Sequence, residues 1–538
     1  MSPILTIQLL VGLLVVVSLV ALVSNRLRVP HAVLLVIAGV LLAVVPGLPT
    51  VKLAPEFVLL IVLPPLIYSS AVAMSWKEFR FNLRPIALLA VGCVLFTAAA
   101  AAAAAHWLLG FPWAVGFVLG AIISPPDAVA PLSVARRMRL PHRLLVVLEG
   151  EGLANDATAL ILFRFAVAAV SAGVFSPGRA AGTFAIIVVG EIAWGLLVGW
   201  LMLRLRRWVR DPRIEITLSI LTPFLAYWPP EYLGGSGVLA TVTAGLYISW
   251  NGLRLISAAT RLQGIFFWDL LIYLIEGMVF LVTGLQARAL TAGIRGHALH
   301  DLVVSALVTC AVVILARFVW MYPATYLPRI LSPALARRDP APPWQQAFAL
   351  AFTGVRGIVS LAAALAIPLT IASGMAFPQR DLILFLTFSV VLVTLVGQGL
   401  LLPVVIRWLG LANAGEREHD AQRAQEHAAR QQAVEAALAR LEALARERDL
   451  PAEVLEPLRT RHGERLQHTR HRGDGDAGHH RLLETDDEVE LQLIEAERER
   501  INQLYRDGDL QDEVRRRIER ELDLREAHLL NVRGDTAE

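Results

Sequence analysis

Up to about Leu411 the chain is a succession of apolar runs, each long enough at about 20 residues to carry a helix across the hydrocarbon core of a bilayer. Within lipid only helices and closed barrels satisfy every backbone N–H and C=O, and these runs have the length of helices rather than of barrel strands. Of the 538 residues only 18% are charged, against 56% hydrophobic, where a soluble domain carries about 25% charge. Beyond Gly415 the composition reverses and stays strongly charged. The expectation is an all-α polytopic membrane domain over residues 1–411, followed by a charged, mainly helical tail over 412–538.

The same composition excludes several classes. A formal charge of +3 is too small to imply nucleic acid. Cys93 and Cys310 both lie in apolar runs, so they form no disulfide framework, and no metal-ligand spacing or cofactor is implied. The first run, "ILTIQLLVGLLVVVSLVALV", lacks a basic region before it and a small-residue cleavage site after it, and reads as a retained span.

Thirteen apolar segments begin near Ile4, His31, Pro55, Pro85, Phe111, Leu144, Ala181, Ile214, Gly235, Ile265, Ala298, Gln345 and Arg380. With the N-terminus outside, the inner loops hold about nineteen Lys and Arg and the outer loops about five, the asymmetry that the positive-inside rule expects. An odd count then puts the tail in the cytoplasm.

Two segments carry helix breakers. The fifth reads "VGFVLGAIISPPDAVAPLSV", with Pro125, Pro126 and Pro131; the twelfth reads "FALAFTGVRGIVSLAAALAIP", with Gly354 and Gly357 around Arg356. Pro removes a backbone donor and Gly weakens a helix. If segments one to six and eight to thirteen are two inverted repeats, each broken segment is fifth in its half, which is where transporters place their binding sites.

Charge inside the apolar runs gathers in segment six, "EGEGLANDATALILFRF" from Glu149 to Phe165. Glu151 and Asn155 lie one turn apart on one face, with Asp156 adjacent. A carboxylate as deep as Asp156 must pair, bind a cation or take up a proton, and a transporter needs the last two in competition. Asp127 stands at the break of segment five, Arg356 at that of segment twelve, and Arg317 near the inner end of segment eleven; a buried carboxylate is the expected partner of Arg317. Glu149 is read as either a surface or a membrane group. Arg164, Glu191, Asp269 and Glu276 are expected to pair with one another.

At these residues the chain resembles the NhaP-type monovalent cation/proton antiporters, bacterial relatives of the animal sodium/proton exchangers. The markers are "LPPLIY", "ISPPDAVAP", "EGEGLANDATAL", "ARF" and "TGVRGIVSLAAALAIP", in that order over roughly residues 1–411. The resemblance implies a homodimer in the cell membrane exchanging Na⁺, or K⁺ or Li⁺, for H⁺. It further implies a core of segments four to six and eleven to thirteen moving against a scaffold, with segments five and twelve crossing at their breaks. It makes Asp156 the group that alternately holds cation and proton beside Asn155, turns Asp127 toward the crossing, and makes Glu151–Arg317 a brace. The sequence departs from relatives at Ser69 (often Glu), Pro126 (often Thr) and Gly152 (often Ser), which leaves the choice of cation open.

In the tail, "AVEAALARLEALARERDL" and "VELQLIEAERERINQLY" have amphipathic helical spacing. Between them, "RTRHGERLQHTRHRGDGDAGHH" reads as a flexible, His-rich connection, with pH sensing or metal binding as the alternative. An intramembrane aspartyl protease built on Asp127 and Asp156 is a competing reading, but neither aspartate stands in the GxGD motif of such proteases. A cation channel is the other; paired broken helices favour alternating access over a fixed pore.

Overall fold

The computed structural model describes residues 3–27, 29–46, 53–172, 177–209, 211–252, 255–256, 258–293, 298–448, 451–473, 477–507, 514–515, 518–519, 521–527 and 529. Helices and loops account for them, without a strand. They divide into two compact units, Met1–Glu416 and Arg417–Glu538.

In the first unit eight helical stretches among the described residues are long and apolar enough to cross a membrane, and His31–Val44 and Trp113–Ile123 are shorter apolar helices. Helices begin within four residues of twelve of the expected starts; the tenth, Ala258–Leu285, begins seven residues early because Thr260 and Gln263 continue it as helix. Small residues set the closest packing. The alanine-rich helix Val94–Leu109 buries Ala98, Ala101, Ala102 and Ala105, and a Cβ added at Gly116 would stand 3.2 Å from Ala102 Cα. Backbones approach in the same way at Gly39 and Gly284, joining segments two and ten.

Both segments with helix breakers are interrupted. The fifth is two half-helices, Trp113–Ile123 and Val129–Arg137, separated by Ser124–Ala128. Pro125 and Pro126 have no N–H to continue the first half, while Pro131 is tolerated in the opening turn of the second. The twelfth is Trp344–Phe352 and Ile358–Leu365, separated by the residues from Thr353 to Gly357. Three unbroken segments contain π-helical turns, at Val58–Val62, Leu88–Cys93 and Val393–Gln398.

In the second unit the helices Ala452–Gly473 and Ala477–Arg506 carry much of the chain. Val434, Ile494 and Leu522 are its buried apolar residues among those described. Largely exposed ion pairs also link its helices: Arg459 to Glu442 and Glu456, Arg498 to Asp523 and Glu526, and Arg525 to Glu490 and Glu497. The flexible connection expected over residues 459–480 is instead helical on both sides of 474–476. Arg, Glu, Gln and Leu there are good helix formers, so the polarity marks an exposed helix. Residues 474–476, and the side chains of 468–488 on which His sensing or metal binding would fall, lie outside the described residues.

Candidate functional site

The two breaks meet and share their backbone hydrogen bonds. The Asp127 N–H donates to Val355 O at 2.6 Å. Pro126 O, freed by the interruption, accepts from Asn155 Nδ2 at 2.6 Å. Asn155 is wholly buried, and its Oδ1 has no hydrogen-bond partner among the described residues.

Each break also carries one charge matched to helix ends. Asp127 Oδ1 accepts from Val129 N–H at 2.9 Å, capping the half-helix that starts there. The same carboxylate lies against Gly357, where any Cβ would collide with it, so only glycine admits Asp127 to the start of Ile358–Leu365. Two positive helix N-termini therefore face one carboxylate. Arg356 does the converse. Its Nε donates to Ile123 O at 3.0 Å and its Nη2 approaches Ser124 O at 3.5 Å. Its Nη1 donates to Gly354 O. These carbonyls follow the ends of Trp113–Ile123 and Trp344–Phe352, where a cation is favoured. The Arg356 N–H donates to Thr394 Oγ1 at 3.0 Å, from the π-helical turn of segment thirteen.

Beside this cross-connection, Arg317 binds Glu151 through two contacts of 2.5 and 2.8 Å, with both residues 2% exposed or less. Arg317 Nε and Nη2 also donate to Leu350 O, at 3.1 and 2.9 Å. Segments six, eleven and twelve are thereby joined, and a Cβ at Gly354 would run into Arg317.

Asp156 is different. It is adjacent to Asn155 on helix His142–Ala172, lies near enough to Asp127 for their charges to interact, and makes no hydrogen bond or ion pair among the described residues. Both carboxylates line a cavity of about 1440 Å³. Its wall includes Trp76, Arg136, Arg206, Asn251 and Arg261, so the cavity reaches the end of the unit that bears the basic loops. Ser69, Pro126 and Gly152 line it too, and Ser69 Oγ is occupied by Leu66 O at 3.1 Å.

The remaining charges are not paired as expected. Arg164 pairs with Glu231, in the last turn of the segment-eight helix Pro212–Tyr232. Glu191 accepts N–H bonds from Ser236, Gly237 and Leu239 at 2.6, 3.2 and 3.1 Å. It thus caps helix Val238–Gly252, and a helix N-terminus satisfies a carboxylate without a counter-ion. Asp269 and Glu276 line the cavity with no hydrogen bond or ion pair among the described residues. Glu149 pairs with Arg136 at the basic-loop end. Thr394 and Glu231 escape a reading of the sequence: one hydroxyl in an apolar run and one carboxylate beside a loop carry no signal.

Known proteins resemble this chain in sequence and in fold. The model of the transmembrane sodium/hydrogen exchanger family matches residues 13–408. A Na⁺/H⁺ exchanger of Mycobacterium tuberculosis is 36% identical over 532 residues, covering 97% of this chain and 96% of its own. The sodium, potassium, lithium and rubidium/H⁺ antiporter of Bacillus subtilis is 32% identical, over 70% of this chain and 58% of its own. The fold matches the sodium proton antiporter of Methanocaldococcus jannaschii at a TM-score of 0.61 and 19% identity, over 76% of this chain and 99% of that one. The family model's match over residues 13–408, together with 36% identity to an exchanger along nearly the whole chain, places this multi-pass membrane protein in the sodium/hydrogen exchanger family, as a cation/proton antiporter and not an enzyme.

Proposed function

We propose that the protein exchanges a monovalent cation for H⁺ by alternating access, one for one, with Asp156 as the group that holds either. The observation that carries this is the Asp156 carboxylate: it lies beside Asn155 and near Asp127 of the broken fifth segment, has no donor among the described residues, and lines a cavity that reaches the basic-loop end. Asp127 is engaged by its cap, and Glu151 by Arg317. Asn155 holds the break of segment five beside the site. Na⁺ is the first cation, as in the names of the relatives; the four cations in the name of the Bacillus relative keep K⁺ and Li⁺ open.

In this reading the basic loops face the cytoplasm, so the cavity is the inward-open entrance and the tail, residues 412–538, is a cytoplasmic regulatory region. The thirteen segments lie in the cell membrane, N-terminus outside, with Glu151–Arg317 and Arg356 bracing a core of segments four to six and eleven to thirteen. The core moves against the scaffold of a homodimer. The test is Asp156→Asn in proteoliposomes loaded with a pH dye and challenged with Na⁺, K⁺ and Li⁺. Cation-driven proton flux should vanish while the protein stays folded; flux retained by a well-folded variant would refute the assignment.

A further inference from the structure

At the end of the first unit that bears the basic loops, three arginines converge on one carboxylate. Arg84, before segment four, and Arg329, at the end of segment eleven, both reach Asp339 Oδ2, at 2.6 and 2.8 Å. Arg143, at the start of segment six, reaches Oδ1 at 2.8 Å. Among the described residues no other carboxylate pairs with any of the three, so three guanidinium groups against one carboxylate leave two positive charges unmatched. Arg84 and Arg143 lie near enough to Arg329 for their charges to repel it. Nor is the surplus all in water. Arg329 is 8% exposed, and Arg84 Nη1 is a buried atom without a hydrogen-bond partner among the described residues. A buried donor left unpaired is costly, and an anion beside these groups would relieve that cost and the repulsion together.

The same three arginines line a second cavity, of about 50 Å³, which shares no residue with the one before Asp156. Much of its remaining wall is apolar: Leu88 and Leu89 of segment four, Leu144 and Val147 of segment six, Met321 of segment eleven and Leu350 of segment twelve. That volume takes one compact group and excludes anything the size of a nucleotide. On the same helices, Leu83 beside Arg84, and Leu327 and Ile330 flanking Arg329, are 50%, 49% and 74% exposed. A free anion gains nothing from such a surface, whereas an acyl chain does. Arginine forks match phosphate oxygens two at a time, and basic pockets between membrane helices seat the headgroups of anionic lipids.

We propose that this pocket seats the phosphate of an anionic phospholipid from the leaflet that meets the basic loops, with the acyl chains lying along segments four and eleven. Arg84, whose Nη1 is unspent, is its first donor. The test titrates the full chain in detergent with phosphatidylglycerol and follows the thermal midpoint, which a ligand of the folded state raises. The midpoint should rise to a plateau, and phosphatidylcholine, a phospholipid without net charge, should raise it much less. Arg84→Gln should increase the lipid concentration needed for half the effect about tenfold, the worth of one charge-assisted hydrogen bond. Arg84→Lys keeps the charge without the fork; it should fall between the two and preserves the test if the Gln variant does not fold. Replacing Arg337 and Arg338 together by Gln removes two exposed charges from the short helix before Asp339 and should leave the titration unchanged. Equal protection by phosphatidylcholine would reduce the effect to acyl chains, and a loss as large in the double variant would reduce it to diffuse surface charge. Inorganic phosphate protecting as well as the lipid would make the pocket a site for a free anion. Each of these results overturns the proposal, as does an Arg84→Gln titration that matches the wild type.

Discussion

Glu151 and Arg317 are each wholly enclosed, so neither can turn to water if the other is removed. Breaking a buried pair typically costs about 3–5 kcal/mol, because one charge is stranded. Glu151→Gln and Arg317→Met should each lower the thermal midpoint in detergent by a comparable amount, and the double variant should recover part of the loss. Losses that simply add would mean that the two side chains do not stabilise one another. At this scale the sequence is legible where chemistry contrasts with its surroundings. Glu151, Asn155 and Asp156 stand out because polar groups in an apolar run demand a reason. Glu231, the partner of Arg164, does not, since a carboxylate in "PPEY" at the edge of a loop is ordinary. The pairing among Arg164, Glu191, Asp269 and Glu276 failed for a related reason: a backbone N-terminus can serve as counter-charge, and composition does not display one.

Between elements, the basic-loop end of the broken-helix unit is gathered on one side chain. Arg84 before segment four, Arg143 in segment six and Arg329 in segment eleven all reach Asp339, at 2.6, 2.8 and 2.8 Å. Burial works against the Asp339 charge, yet the hydrogen bond from Arg143 and the charges of Arg143, Arg329 and Arg84 hold it below the usual carboxylate range. A carboxyl lowered on folding stabilises fully above its unfolded pKa, near 3.9, and loses that contribution as pH falls through the lower folded value. Asp339→Asn should therefore melt below the wild type at pH 7, and the gap should narrow as both are taken to pH 3.5. A gap that holds constant with pH would show that Asp339 acts by shape and not by charge. The interruptions themselves were visible in Pro125, Pro126, Gly354 and Gly357, which change what the backbone can do. The π-helical turns were not, because "VTLVGQ" contains nothing that an ordinary helix would refuse; the wider turn presents Thr394 to Arg356 through tertiary contact alone.

For the whole molecule, what matters is the charge that crosses per cycle. If Asp156 alone exchanges a monovalent cation for a proton, both loaded forms carry the same charge, and a membrane potential worth about 2.3 kcal/mol per charge per 100 mV gives no drive. Exchange should then ignore a potential set with valinomycin in buffers where K⁺ is not the transported ion; a rate that changes with its sign would require a second proton, with Asp127 the nearest candidate. The apolar runs announced a polytopic helical unit because the bilayer leaves few other solutions. Which helices pack most closely was not written there, since contacts such as Gly39 on Gly284 involve residues with no side chain to read. One contact already described also bears on how the molecule is made. Glu151 and Arg317 are 166 residues apart in the chain, so at about 5–20 residues per second the ribosome delivers the arginine about 8–33 s after the glutamate. Throughout that interval segment six has a carboxylate in its interior and no counter-ion, a burden that insertion measurements put at about 2.5–3.5 kcal/mol at a helix centre. The first half of the protein thus enters the membrane unfinished, and its maturation waits on the translation of the second.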